Sequence, residues 1–323
     1  MPPHTCLHAA PLPRRSPRVL SPGVSTRGIS AAASIPPRAW DSHMHVTDLK
    51  YRLSPSATYK PHEATLQQAQ ENATKLGLPN LVFVQPSTYG NDNRCLLHAL
   101  KKVGPKHGRG VVVFDPVETR FETLLEWHRL GVRGIRVNFK SVRREMEEEE
   151  MLKLLKHYVR CINQKETENP SPLDWALQLF VDMSIVPQLE RFVDEYVDLH
   201  KGVRLVLDHF GSPGQLNKDL STIKGWDAMQ RIMKNSGVFV KISAPYRLSE
   251  DPEYKDLEAM TKELFKIRNG YGVVFASDWP HTRFEGMDIQ PWIEKCLEWC
   301  DGDQQLIDKL FRDNARDLWD VDN

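Results

Sequence analysis

The 323-residue chain has no run of 18 or more apolar residues, so no segment reads as a membrane-spanning helix. Its five cysteines, Cys6, Cys95, Cys161, Cys296 and Cys300, form no CxxC pair and leave an odd one over. That argues against a disulfide framework or a zinc ribbon and for a reducing compartment. There is no excess of either charge: 43 Lys and Arg face 43 Asp and Glu, which gives no electrostatic hold on a polyanion and excludes nucleic acid as the expected partner. Acid is missing locally. Residues 1–40 contain no Asp or Glu but five Arg, eight Pro and the stretch Ser30-Ala31-Ala32-Ala33-Ser34. The remaining 38 basic residues face all 43 acidic ones, a net of −5 over residues 41–323. Residues 1–38 therefore read as a disordered leader outside the core. Its Arg- and Ser-rich, acid-free composition resembles a mitochondrial presequence, while its prolines interrupt the amphipathic helix such a signal needs. The expected location is mitochondrial or cytoplasmic.

What is present from Ala39 onward is an alternation of short β-branched or aromatic runs with longer segments of helical period. Eight strands are expected: Ala39–His45, Asn80–Gln85, Gly110–Phe114, Gly134–Phe139, Ala176–Val181, Val203–Asp208, Val238–Ile242 and Val273–Ala276. Helical stretches such as Glu63–Leu76, Thr119–Leu130, Pro187–His200 and Lys255–Arg268 lie between them. Eight such units in about 280 residues have the size and rhythm of a single-domain (β/α)₈ TIM barrel over residues 39–320. A doubly wound sheet would usually carry a Gly-rich phosphate loop after its first strand, and none is there.

In such a barrel, chemistry sits at the carboxyl ends of the strands. The first strand ends in Asp41-Ser42-His43-Met44-His45, and alternation points His43 and His45 the same way. The sixth ends in Asp208-His209-Phe210-Gly211, adding a third histidine, and the eighth in Ser277-Asp278-Trp279-Pro280-His281, adding a carboxylate. Arg136 lies inside the otherwise apolar fourth strand, where a charge is costly without a partner. With Arg143 and Arg247 it forms a set of guanidinium forks suited to a substrate bearing two carboxylates. Ser87, Tyr89 and Tyr59 are further candidate contacts to a carboxylate or carbonyl. Arg133 falls off the Arg136 face and reads as a structural ion-pair partner.

These motifs, with the closing Asn314-Ala315-Arg316-Asp317-Leu318, resemble the amidohydrolase-related family of hydrolases and decarboxylases. The stretch Gln85-Pro86-Ser87-Thr88-Tyr89-Gly90-Asn91-Asp92-Asn93, with Gly134–Asn138 and Tyr246-Arg247, is similar to the 2-pyrone-4,6-dicarboxylate lactonase subgroup. The resemblance implies opening of a lactone or cyclic ester. Asp278 would activate water as general base. His43, His45 and His209 would stabilise the oxyanion, and Arg136, Arg143 and Arg247 would fix the substrate's carboxylates.

A binuclear metal site would need a bridging Lys or Glu after the fourth strand and a His after the fifth, and neither is convincingly present. The subgroup resemblance implies a site without metal, so no cofactor is expected. The alternative is one Zn²⁺ on His43, His45, His209 and Asp278, as in a mononuclear decarboxylase of the wider family. A non-catalytic binding barrel is the remaining reading.

Overall fold

Each expected strand is present in the computed structural model, which describes residues 35–140, 147–163, 173–200, 202–216 and 219–321. The strands are β1 (Trp40–Met44), β2 (Asn80–Val84), β3 (Gly108–Val112), β4 (Val132–Asn138), β5 (Ala176–Phe180), β6 (Arg204–Leu207), β7 (Val238–Ile242) and β8 (Val273–Phe275). They run parallel in the order β1 to β8. The barrel closes where Met44 bridges Trp279 and where the Asp278 N–H donates to His43 O and the His45 N–H to Trp279 O. The buried Asp41 carboxylate fastens the same seam, accepting from the Ser277 amide and hydroxyl.

Among the described residues an α-helix lies after each strand: α1 (Leu66–Leu76), α2 (Arg94–Val103), α3 (Phe121–Leu130), α4 (Glu148–Ile162), α5 (Glu190–Tyr196), α6 (Trp226–Ile232), α7 (Glu258–Lys266) and α8 (Gln290–Trp299). Local sequence explains their ends. Thr65 and Gln68 form a reciprocal capping box on α1, which stops at Gly77 with φ 72°. On α4 three glutamates occupy the first turn and Arg160 the last, the order its dipole favours. The short α9 (Gln304–Asp308) and α10 (Asn314–Leu318) close the amino-terminal end of the barrel. Asn314 there donates to the carbonyls of Gly270 and Val273, and Trp319 fills the bottom with Trp40, Val206 and Phe239. Cys296 and Cys300 are buried in the core, as are Cys95 and Cys161. Arg133 pairs with Asp320 at 2.8 Å, off the Arg136 face as its alternation requires.

Residues 1–34 of the expected leader lie outside the described residues; of the rest, Ile35 is already buried against the barrel. No described helix is long and apolar enough to cross a membrane.

Candidate active site

The strand periodicity lines the barrel's interior with Arg136 from β4, Gln178 from β5, Asp208 just after β6 and Lys241 from β7, all buried. Lys241 is fully enclosed. Its ammonium donates to Gln178 Oε1 at 2.6 Å and stands 3.2 Å from Asp208 Oδ1 and 3.3 Å from His43 Nδ1. Gln178 Nε2 donates to the other Asp208 oxygen at 2.9 Å. Burial works to raise the Asp208 carboxyl, but Lys241 and His43 outweigh it and hold it well below the usual range. Burial likewise brings Lys241 down to about 8, against the pull of Asp208.

Above this layer stand the three histidines and Asp278. β1 changes register against β2 between Asp41 and Met44. The neighbours Ser42 and His43 thereby both reach the interior, Ser42 accepting from Trp319 Nε1 and His43 facing Asp208. A regular pleat would have sent them to opposite faces. His209 and Asp278 hold left-handed backbone, with φ 52° and 59°. This is a strained state for non-glycine residues of a kind that clusters at functional sites.

Hydrogen bonds fix what the imidazoles present. His43 Nδ1 faces the Asp208 carboxylate at 3.2 Å and His45 Nδ1 the Val84 carbonyl at 2.8 Å. The Val84 carbonyl can only accept, so His45 Nδ1 carries the proton; His43 Nδ1 lies between the Asp208 carboxylate and the Lys241 ammonium, 3.3 Å away, and its pairing with the nearer carboxylate places the proton on Nδ1. Burial keeps the rings neutral, pushing His45 down to about 4 and His43 well below its ordinary value. Their Nε2 lone pairs therefore meet at 3.4 Å. Asp278 Oδ1 lies 3.7 Å from His43 Nε2 and 3.9 Å from both His45 Nε2 and His209 Nε2. His209 Nδ1 is held by Ser243 Oγ at 2.7 Å. Asp278 Oδ2 accepts from the Tyr246 hydroxyl at 2.7 Å and from Arg247 Nε at 3.1 Å. Burial pushes the Asp278 carboxyl up, but the histidines and Arg247 outweigh it, and it stays ionised.

Converging lone pairs and a carboxylate oxygen repel one another unless a cation lies among them. Tetrahedral ligands ~2.0–2.1 Å from one ion stand ~3.3–3.4 Å apart, close to the separations seen here. His43, His209 and Asp278 offer ligand atoms within 4.8 Å of one another, with His45 Nε2 beside them. The polar partners of all three imidazoles supply the outer contacts that metal-ligating histidines use. The expectation of a site without cofactor is therefore corrected: these residues fit a single metal ion. Missing ligands on the fourth and fifth strands argued only against a second ion.

A cavity of about 190 Å³ opens above this cluster, lined by His45, His209 and Asp278 together with Ser87, Tyr59, Arg136 and Arg247. The sequence motifs missed Lys140, Arg283 and Thr282, which also line it. Lys140 pairs with Asp182, and the Arg283 guanidinium lies over the Tyr59 ring at 4.8 Å. Arg136 is 6% exposed; one of its nitrogens donates to Gln85 O, and its Nε has no hydrogen-bond partner. Tyr89 does not join the cavity: its hydroxyl donates to Asp48 O and accepts from Asp48 N–H, pinning the loop after β1. Arg143 lies outside the described residues. His281 sits beside the Tyr246 hydroxyl at 3.3 Å, away from the cavity. Lys241 was missed although its signal equals that of Arg136, a lone cation inside the apolar strand Val238–Ile242.

The amidohydrolase family model matches residues 40–321. The chain belongs to the amidohydrolase family. It is 26% identical over 88% of its length to a 2-pyrone-4,6-dicarboxylate hydrolase of Comamonas testosteroni, covering 91% of that protein. It is 24% identical over 80% of its length to a 4-sulfomuconolactone hydrolase of Hydrogenophaga intermedia, covering 79% of it. Among solved structures, a Pseudomonas putida protein assigned as a 2-pyrone-4,6-dicarboxylic acid hydrolase superposes with a TM-score of 0.73. It is 28% identical, with 88% of this chain and 98% of that one covered. An amidohydrolase from Burkholderia multivorans solved with bound zinc shares the fold at a TM-score of 0.64 and 17% identity, over 88% and 99% of the two chains.

Proposed function

We propose that the protein is a hydrolase that opens a lactone or cyclic ester on a small substrate carrying carboxylates. The observation that carries this reading is the placement of Asp278 and three histidine Nε2 atoms under a cavity whose rim bears Arg136, Lys140, Arg247 and Arg283. The names of the relatives, hydrolases of a pyrone dicarboxylate and of a sulfonated muconolactone, agree with it.

The cationic rim holds the substrate's anionic groups and so sets the ring carbonyl above Asp278. Arg136 is suited to a carboxylate because its buried Nε lacks an acceptor. A water between Asp278 and the carbonyl gives its proton to Oδ1 as its oxygen bonds to the carbonyl carbon. Tyr246 and Arg247 hold Oδ2, which keeps Oδ1 aimed at that water. The ring C–O bond then breaks, and the proton passes from Asp278 to the departing oxygen. A metal ion on His43, His209 and Asp278, when bound, supplies positive charge that acidifies water and polarises a carbonyl, which matters beside a carboxylate of such low basicity. Lys241 and Asp208 hold His43 with its Nε2 lone pair facing the cluster.

The test is hydrolysis of 2-pyrone-4,6-dicarboxylate, followed by loss of its ring absorbance, by the wild-type protein and Asp278→Asn. Turnover by the wild type and a loss of at least about 10³-fold in the variant are expected. Near-normal turnover by the variant removes Asp278 as the base.

A further inference from the structure

A second cavity of about 490 Å³ adjoins the first, and Ser87 and Arg136 are walls of both. It lies at the carboxyl ends of β2, β3 and β4, on the same mouth of the barrel. Its character differs. Phe114, Val137, Phe139 and Leu154 line it, and Val117, 77% exposed, stands at its edge. Among the described residues that line it, Arg136 at the junction is the one Lys or Arg, and Asp115 carries the opposite charge. The Asp115 carboxylate is fixed by the amides of Val117 and Glu118. Ser56, Asn91, Asn138, His157 and Tyr158 add polar groups to its lining; a second anion would meet the Asp115 carboxylate there, whereas an uncharged ring would bury the apolar part of the wall.

We propose that this cavity receives an uncharged, aryl-sized substituent of the substrate, whose carboxylate-bearing lactone ring occupies the first cavity. The inference rests on the reading given under Proposed function and narrows it: the preferred substrate is a substituted lactone larger than a bare pyrone dicarboxylate. Arg136 marks the joint, holding a ring carboxylate while the substituent passes Ser87 into the apolar cavity.

Binding decides the inference, and turnover decides the reaction. Isophthalate presents two carboxylates on a flat six-membered ring, and its 4-phenyl and 5-phenyl derivatives add one uncharged ring in two directions. Calorimetry on the full chain should show at least one phenyl derivative binding about tenfold or more tighter than isophthalate, the yield of burying part of an aromatic ring. That advantage should vanish in Leu154→Trp, which fills the cavity, and shrink in Val117→Asp, made at an exposed position that does not threaten the fold. Equal binding of all three acids, or an advantage untouched by both substitutions, overturns the proposal. Failure to hydrolyse both 2-pyrone-4,6-dicarboxylate and its phenyl-substituted derivatives, with the phenyl advantage in binding intact, overturns the lactonase reading and leaves the cavity's role standing.

Discussion

Replacing Lys241 with methionine tests whether the ion pair beneath the site is a coupled unit. Methionine keeps much of the side-chain volume but removes the ammonium that faces Asp208 at 3.2 Å, where neither group has any exposure. Asp208 would keep its contacts to His43 and Gln178 and lose the only formal positive charge among them. Breaking a buried pair from one side costs about 3–5 kcal/mol. An unfolding entropy of roughly 2.1 cal/mol/K per residue over about 280 residues gives about 0.6 kcal/mol per degree, hence a fall in Tm of about 5–8 °C. Asp208→Asn should cost less, because Lys241, already brought down to about 8 by burial, can shed its proton. The double variant leaves no stranded charge and should recover a large part of the Lys241→Met loss, with a coupling of about 1 kcal/mol or more. Calorimetric melting of the four proteins at one pH measures the cycle. A Lys241→Met loss below about 1 kcal/mol, or a double variant equal to the sum of the singles, refutes the coupled unit.

Arg136→Met should raise KM about 10- to 100-fold with kcat little changed, the loss of one charged hydrogen bond in ground and transition states alike; steady-state kinetics separate the two parameters. Tyr246→Phe removes the 2.7 Å bond to Asp278 Oδ2 and should lower kcat about tenfold while KM holds, since it acts through Asp278. The wild type should bind one zinc ion per chain by elemental analysis, and Ser243→Ala, which strips His209 Nδ1 of its partner, should weaken that binding about 10- to 100-fold; a wild type that binds no zinc refutes the metal fit. His128 is brought down to about 4 by burial and the nearby Arg133 charge, and its Nδ1 accepts from Trp175 Nε1. Its unfolded value is about 6.5, so below that pH the unfolded chain takes up a proton that the folded one refuses. Stability is therefore lost as pH falls toward 4, by about 2 kcal/mol at pH 5. Melting at pH 7 and pH 5 should show a smaller drop in His128→Gln than in the wild type, and equal drops would refute the assignment.

The barrel was legible because its strands are buried on both faces and so stand out as β-branched runs between helical stretches. Strand ends differed from expectation by a residue or two, as at β3, which begins at Gly108 rather than Gly110. The four helices named from their period, Glu63–Leu76, Thr119–Leu130, Pro187–His200 and Lys255–Arg268, all begin two or three residues later: residues 183–189 form a 3₁₀ turn before α5, and residues 63–65 lead into the Thr65 cap of α1. In the site, the convergence of His43, His45, His209 and Asp278 followed from the rule that strand ends face one mouth. That rule speaks of position, not of depth. Tyr89 obeys it in sequence yet spends its hydroxyl on the Asp48 backbone, a contact 41 residues away that no local pattern announces.

The metal expectation failed for a related reason. Sequence counts ligands, whereas affinity for a cation depends on which atoms of those ligands are left without protons. Two histidines at i and i+2 are equally compatible with imidazoles that donate to a substrate oxygen and with imidazoles that offer lone pairs to an ion. The choice is made by the acceptors behind them: Asp208 and the Val84 carbonyl take the Nδ1 protons of His43 and His45. Once those bonds are drawn, neither neutral Nε2 can donate to an oxyanion, and the rings cannot serve as the charge-stabilising donors that a site without metal requires. The arginines do not replace that charge at the cluster. Arg247 is engaged on the far oxygen of Asp278, and Arg136 donates to the Gln85 carbonyl. Among the described residues, no cationic side chain thus reaches the point where three nitrogens and Asp278 Oδ1 meet, and a cation there satisfies all four at once.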